Sequence, residues 1–192
     1  MSPTVPDTLK RVIVIGSTGA GKSTLAHALA ALIDGVHIEL DAYNFLPGWE
    51  TRPVDDMRAL VADAVQAERW AACGNYGKLR DIVWPLADTA VWLDYPLPRI
   101  LWRLTRRSLA RSITRENLWN SGNRENFLRQ LRWNTDSLYY WAITTRKRRA
   151  AQYETLFASP PYDRIHLVRL TSVRATQSWL EAVRMAYPER SG

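Results

Sequence analysis

The sequence predicts an α/β fold built on a parallel sheet, and three observations carry that expectation. Short apolar, β-branched runs alternate with helical spacings along the 192 residues, the order that parallel sheets require. The first run, RVIVIG (11–16), is apolar without alternation, which suits a strand buried on both faces. A glycine-rich turn follows it directly and opens onto an Ala/Leu-rich helix. A chain of this length is read as one domain, 1–192.

The elements follow in order. Residues 1–9 contain two prolines among small polar residues and are read as a flexible tail. After RVIVIG and the glycine turn, LAHALAALI (25–33) favours helix. VHIEL (36–40) is a second strand leading into DAYNFLPGWETRP, where Pro47, Gly48 and Pro53 mark a loop. In residues 54–68 the apolar positions Met57, Leu60, Val61, Ala64 and Val65 repeat at helical spacing, and Asp55 and Asp56 suit a first turn. WAAC (70–73), DTAVWLDYP (88–96) and RIHLVRL (164–170) supply the third, fourth and fifth strands. Thr171 or Ser172 is placed to cap a final helix reaching about Ala186. The stretch 97–157 breaks the alternation: it is long, helical, basic and rich in Trp and Tyr.

Composition narrows the class. The single cysteine, Cys73, permits no internal disulfide, and the N-terminal residues lack a cationic segment followed by an apolar one. The most apolar helix falls well short of the ~20 residues that cross a bilayer. A cytoplasmic protein with no membrane partner is expected. Nine Trp is a high count, pointing to a heavily packed core or aromatic clefts. Residues 99–149 hold 13 Lys/Arg against 3 Asp/Glu, whereas the rest of the chain holds 13 against 16. That block suits a polyanionic ligand such as nucleotide phosphates, or nucleic acid, or is a solvated helix face.

The motif Gly16-Ser17-Thr18-Gly19-Ala20-Gly21-Lys22-Ser23, followed by Thr24, fits G-x-x-x-x-G-K-[ST] in full between strand and helix. Its glycines let successive N–H groups, from about Gly19 to Thr24, turn around a phosphate at a helix N-terminus. Lys22 would reach the β- and γ-phosphates and Ser23 would ligate Mg²⁺. ATP and Mg²⁺ are the expected cofactors of this P-loop NTPase pattern. No N-K-x-D guanine signature accompanies it.

Further motifs resemble a known family. LDAYNFLPGW after the second strand, CGNY after the third, ADTAVWLDYP at the fourth and ENLWNSGNRE (116–125) join GSTGAGKST in order. Over residues 11–180 the chain resembles small P-loop kinases of the nucleoside monophosphate kinase group, and within it the adenylate-kinase-like proteins often labelled DNA topology modulation proteins. The resemblance implies a five-stranded parallel sheet of order 2-3-1-4-5, an acceptor-binding region around 41–68, and an arginine-bearing helical lid around 97–157. In that family the third strand usually ends D-G-N-Y, its aspartate holding a Mg²⁺-bound water. Here Cys73 stands in that place, and a neutral thiol is a poor partner for hard Mg²⁺.

Individual residues follow. Asp41, past the second strand, either holds a Mg²⁺-bound water or accepts the proton of an attacking hydroxyl. Asp94 is either structural or chemical. Arg99, Arg103, Arg107 and Arg111 recur every four residues along one side of a helix. Arg103, Arg107 and Arg124 are the favoured phosphate contacts, since a guanidinium fork stabilises transferring charge. Asn75 and Tyr76, at a strand's carboxyl end, are placed to read an acceptor, and Arg80 loosely matches the family's acceptor-contacting arginine. Trp49 either stacks on an acceptor ring or packs. RKRR (146–149) is read at a helix end, where cations suit the dipole. His27, His37 and His166 show no zinc spacing. The expected activity is ATP-dependent phosphotransfer to a nucleoside, nucleotide or similar small acceptor. The alternatives are a nucleic-acid-associated P-loop ATPase or regulator, and a shikimate- or gluconate-type kinase.

Overall fold

A computed structural model describes residues 4–135 and 137–187. Five strands, β1 (Arg11–Gly16), β2 (Val36–Glu39), β3 (Trp70–Cys73), β4 (Thr89–Leu93) and β5 (His166–Leu170), form one sheet of order β2-β3-β1-β4-β5. Every pairing in it is parallel. The helices are α1 (Lys22–Leu32), α2 (Leu40–Asn44), α3 (Val54–Ala64), α4 (Arg80–Val83), α5 (Leu97–Thr114), α6 (Phe127–Gln130), α7 (Leu138–Phe157) and α8 (Val173–Ala186).

The unbroken apolar run of β1 has a physical reason: both faces of the strand are covered. Val12 and Val14 point into a core shared with α1, α8 and the start of α5, including Leu29, Ile100, Leu104 and Trp179. Ile13 and Ile15 point the other way, into a core with Met57, Val61, Trp84, Trp92 and Tyr153. Four of the nine Trp, at 70, 84, 92 and 179, are buried in these layers. Others lie at the surface, among them Trp49, Trp102, Trp133 and Trp141. Core packing and exposed aromatic surface thus both account for the Trp count.

Three local expectations are corrected. Residues 40–44 are helical, not loop, which sets Asp41 in the first turn of α2. Residues 4–9 are tied down: Leu9 and Pro6 are buried, the Trp179 indole N–H donates to the Thr4 carbonyl (3.4 Å), and the Tyr187 hydroxyl donates to that of Pro6 (2.8 Å). Residues 1–3 lie outside the described residues. RKRR is not at a helix end but in the middle of α7, because Tyr153, Leu156 and Phe157 carry the helix on against the sheet. Ser172, of the two candidates, caps α8, accepting from the Ala175 N–H at 3.1 Å. No described helix is long and apolar enough to cross a membrane.

Candidate active site

The carboxyl ends of β1, β2 and β3, with α5 above them, enclose a cleft of about 1140 Å³. The glycine loop forms its floor. Gly16 has φ 142°, and a β-carbon there would meet the Leu93 carbonyl at 2.6 Å, so only glycine lets the loop leave β1 against β4. Gly21, at φ 98°, caps α1, and a β-carbon there would meet the Arg103 guanidinium at 2.6 Å. The Arg103 Nε donates to the Gly19 carbonyl at 3.3 Å. Helix α5 therefore lays an arginine directly along the loop.

Lys22 is half-buried, its ammonium donating to the Ser17 carbonyl at 3.1 Å. Burial pushes its pKa from an ordinary 10.5 down to about 8, against the opposing pull of Asp41. A phosphate would relieve that cost.

The Ser23 hydroxyl donates to Glu39 Oε1 at 2.8 Å. Glu39 is a residue that sequence reasoning passed over as part of VHIEL; the available signal was an acidic residue near the carboxyl end of an otherwise apolar strand. It pairs in register with Cys73, so a carboxylate stands beside the thiol on the adjacent strand. Cys73 itself is buried, and desolvation, then the Glu39 charge, push its thiol up to about 12. Its sulfur lies 3.8 Å from His37 Nε2. Ser23 and Glu39 present hard oxygen donors that suit Mg²⁺ beneath a triphosphate, whereas the thiol does not. Among the described residues no group of three or more His, Cys, Asp or Glu could hold a metal by itself.

Asp41 faces the cleft and accepts from the Tyr76 hydroxyl at 2.6 Å. Burial and then the Asp41 charge push the Tyr76 phenol up. Asn75 lines the cleft with its amide already engaged: its Nδ2 donates to the Gly16 carbonyl (2.6 Å), and its Oδ1 accepts from the Gly16 N–H (3.4 Å) and the Tyr153 hydroxyl (3.1 Å). It pins the entrance of the glycine loop. Arg80 is not brought to the cleft; in α4 its guanidinium lies 4.9 Å over the Trp84 ring. Asp94 is paired with Arg146 (3.2 Å) and Arg169 (2.6 Å).

Arg103, Arg107 and Arg124 all line the cleft, as do Arg99, Arg111 and Arg149. Arg107 has a buried Nε without a hydrogen-bond partner, and burial holds its guanidinium below the ordinary range despite Glu125. Glu125, 6% exposed, accepts from the Ser108 hydroxyl and lies 3.6 Å from Arg111. Much of the basic block is thus turned inward on the cleft, and RKRR divides likewise, Arg146 pairing with Asp94 and Arg149 lining the cleft. Trp49 also reaches the cleft, together with Phe45 and Trp119.

No protein-family model matches the chain, and no curated protein matches it. Solved structures do. A shikimate kinase from Acinetobacter baumannii in complex with shikimate is 14% identical, with 97% of each chain covered and a TM-score of 0.50. A sugar kinase from Janibacter sp. is 17% identical over 93% of this chain and 94% of that one, TM-score 0.49. A gluconokinase from Sinorhizobium meliloti is 17% identical over 95% and 98%, TM-score 0.47. The sheet order together with the likeness to the shikimate kinase gives the chain the P-loop kinase fold. These three structures do not reach the finer adenylate-kinase-like grouping read from the motifs.

Proposed function

We propose that the protein is an ATP-dependent phosphotransferase acting on a small acceptor: a nucleoside, a nucleotide, or a hydroxy acid of the shikimate or gluconate kind. The carrying observation is that one cleft joins the glycine loop, the Ser23–Glu39 pair and Asp41, with the α5 arginines between them. The name of the structural neighbour with a TM-score of 0.50, a shikimate kinase, supports the same reading.

Lys22 and the loop N–H groups from Gly19 to Thr24 hold and orient the triphosphate. Ser23 and Glu39 are the residues that would hold Mg²⁺, which when bound neutralises charge on the phosphates. Arg103 and the unpartnered Arg107 stabilise the transferring γ-phosphoryl group, with Arg124 at the rim. Asp41 takes the proton of the attacking hydroxyl as its oxygen bonds to the γ-phosphorus. The bond to the bridging oxygen then breaks and ADP leaves. Tyr76 orients Asp41 through its hydrogen bond.

The test is a screen of nucleosides, nucleotides, sugars and hydroxy acids with γ-labelled ATP, comparing parent and Asp41→Asn. Transfer to an acceptor that falls by about 10²–10⁴ in the variant is the expected result. Slow ATP hydrolysis with transfer to no acceptor would overturn the reading.

A further inference from the structure

The far wall of the cleft narrows the acceptor. Phe45 and Trp119 lie parallel, centroids 5.5 Å apart at 14°, and Trp49 stands edge-on to both, at 5.5 Å and 76° and at 6.1 Å and 86°. These rings come from two segments distant in sequence, and all three line the cleft. Trp49 remains 37% exposed, more than a ring serving only to fill a core.

The backbone beneath them is unusual. Trp49 (φ 65°), Trp119 (φ 52°) and Asn120 (φ 55°) occupy the left-handed region that side-chain-bearing residues rarely adopt. Such conformations persist where the surroundings enforce them and concentrate at ligand sites. Asn123, 2% exposed, reaches from the second segment to the first. Its Nδ2 donates to the Leu46 carbonyl and its Oδ1 accepts from the Trp49 N–H, both at 2.9 Å. One buried amide thus fastens the 45–51 loop to the 118–123 turn and sets the two indoles against each other.

Geometry and charge select the occupant. Phe45 and Trp119 are in direct contact at their separation, so nothing inserts between them and a ligand ring adds to the outside of the stack. A quaternary ammonium, the other usual occupant of an aromatic box, is repelled: nine Lys/Arg against three Asp/Glu line the cleft. A neutral flat heterocycle suffers no such repulsion, and bases stack on aromatic rings whatever their sequence identity. Asp41, beside Tyr76 and facing the cleft, is a base placed for an attacking group that must lose a proton, which a hydroxyl has and a phosphate dianion has not.

We propose that Phe45, Trp49 and Trp119 form a ring subsite and that the acceptor is a nucleoside, a neutral heterocycle carrying a sugar hydroxyl. Asn123 is the positioning residue of that subsite. This rests on the phosphotransferase reading above for its second half; the ring subsite itself is a binding property.

Isothermal titration calorimetry tests it, with the nucleotide site filled by a non-hydrolysable ATP analogue and Mg²⁺. The ligands are adenosine, thymidine, their 5′-monophosphates, ribose, gluconate and shikimate. At least one nucleoside is expected to bind at least tenfold more tightly than any of the three ringless or non-aromatic compounds. Trp119→Ala should weaken that nucleoside roughly 5- to 150-fold, about 1–3 kcal/mol at 1.4 kcal/mol per tenfold, with analogue affinity unchanged. Trp119→Leu, which keeps apolar packing but has no π-face, should lose similarly, and Trp119→Phe should stay within about threefold of the parent. Binding of ribose, gluconate or shikimate as tight as that of the tighter nucleoside overturns the proposal, as does γ-phosphoryl transfer from ATP to a monophosphate and to neither nucleoside. So does nucleoside binding indifferent to Trp119→Leu. Failure of the parent to bind the ATP analogue sinks the phosphotransferase reading instead, and titration of nucleosides without analogue then still decides the ring subsite.

Discussion

Replacing Lys22 by Met should stabilise the ligand-free protein while abolishing triphosphate binding. In the fold Lys22 titrates at about 8 instead of 10.5, mainly because it is taken out of water. At pH 7 the folded state therefore carries a charged group at a cost of roughly 3 kcal/mol relative to the unfolded chain. Met removes that cost but also the hydrogen bond to the Ser17 carbonyl, about 1 kcal/mol. The net gain is roughly 2 kcal/mol, or about 4–8 °C in Tm for a chain of this size. The sign with pH follows from the lowered pKa. Below about pH 8 both states hold the proton and the full cost is present. Between about 8 and 10.5 the folded state releases it first, so the parent gains stability as pH rises. Above 10.5 neither state is charged and the cost is gone. Thermal melts of parent and variant, compared at each pH from 6.5 to 10.5, cancel the other titrating groups. The gap should be widest at or below neutral pH and close on the alkaline side. A variant that melts no higher than the parent at pH 7, or a gap independent of pH, would refute the argument that Lys22 is held at a cost for a phosphate.

Three other outcomes are expected. Glu39→Gln should raise the Mg²⁺ concentration for half-maximal transfer by about 10- to 100-fold, read from initial rates at saturating ATP, because Ser23 loses its charged partner; an unchanged Mg²⁺ dependence removes Glu39 from the metal site. Asn75→Ala should cost about 1–3 kcal/mol in denaturant unfolding, since the Gly16 N–H and carbonyl lose their partner, and equal stability would show that the loop is held by other contacts. Cys73 in the native protein should react with a thiol reagent at pH 8 roughly 10³-fold more slowly than in urea, given a thiol raised from 9.0 to about 12; equal rates would mean that the thiol is not buried in the manner described.

The sequence by itself determined the sheet and the nucleotide end of the site. Both are written locally: a strand buried on two faces needs an uninterrupted apolar run, and a phosphate cradle needs its glycines, Lys22 and Ser23 within nine consecutive residues. The arginines of α5 were equally legible, because a four-residue repeat on a helix fixes a face without reference to the rest of the chain. Tertiary structure decided what depends on register and on packing between distant segments. Glu39 and Cys73 are 34 positions apart and become neighbours only through the β2–β3 pairing, so a strand glutamate could not be told from a solvated one. The partners of Asn75, Gly16 and Tyr153, come to its amide only in the fold, and Arg80 looked like an acceptor contact until α4 laid it on Trp84. Trp49 was ambiguous for the same reason: one exposed indole carries no signal, and only the closed cleft sets Trp119 and Asn123, some 70 residues on, against it.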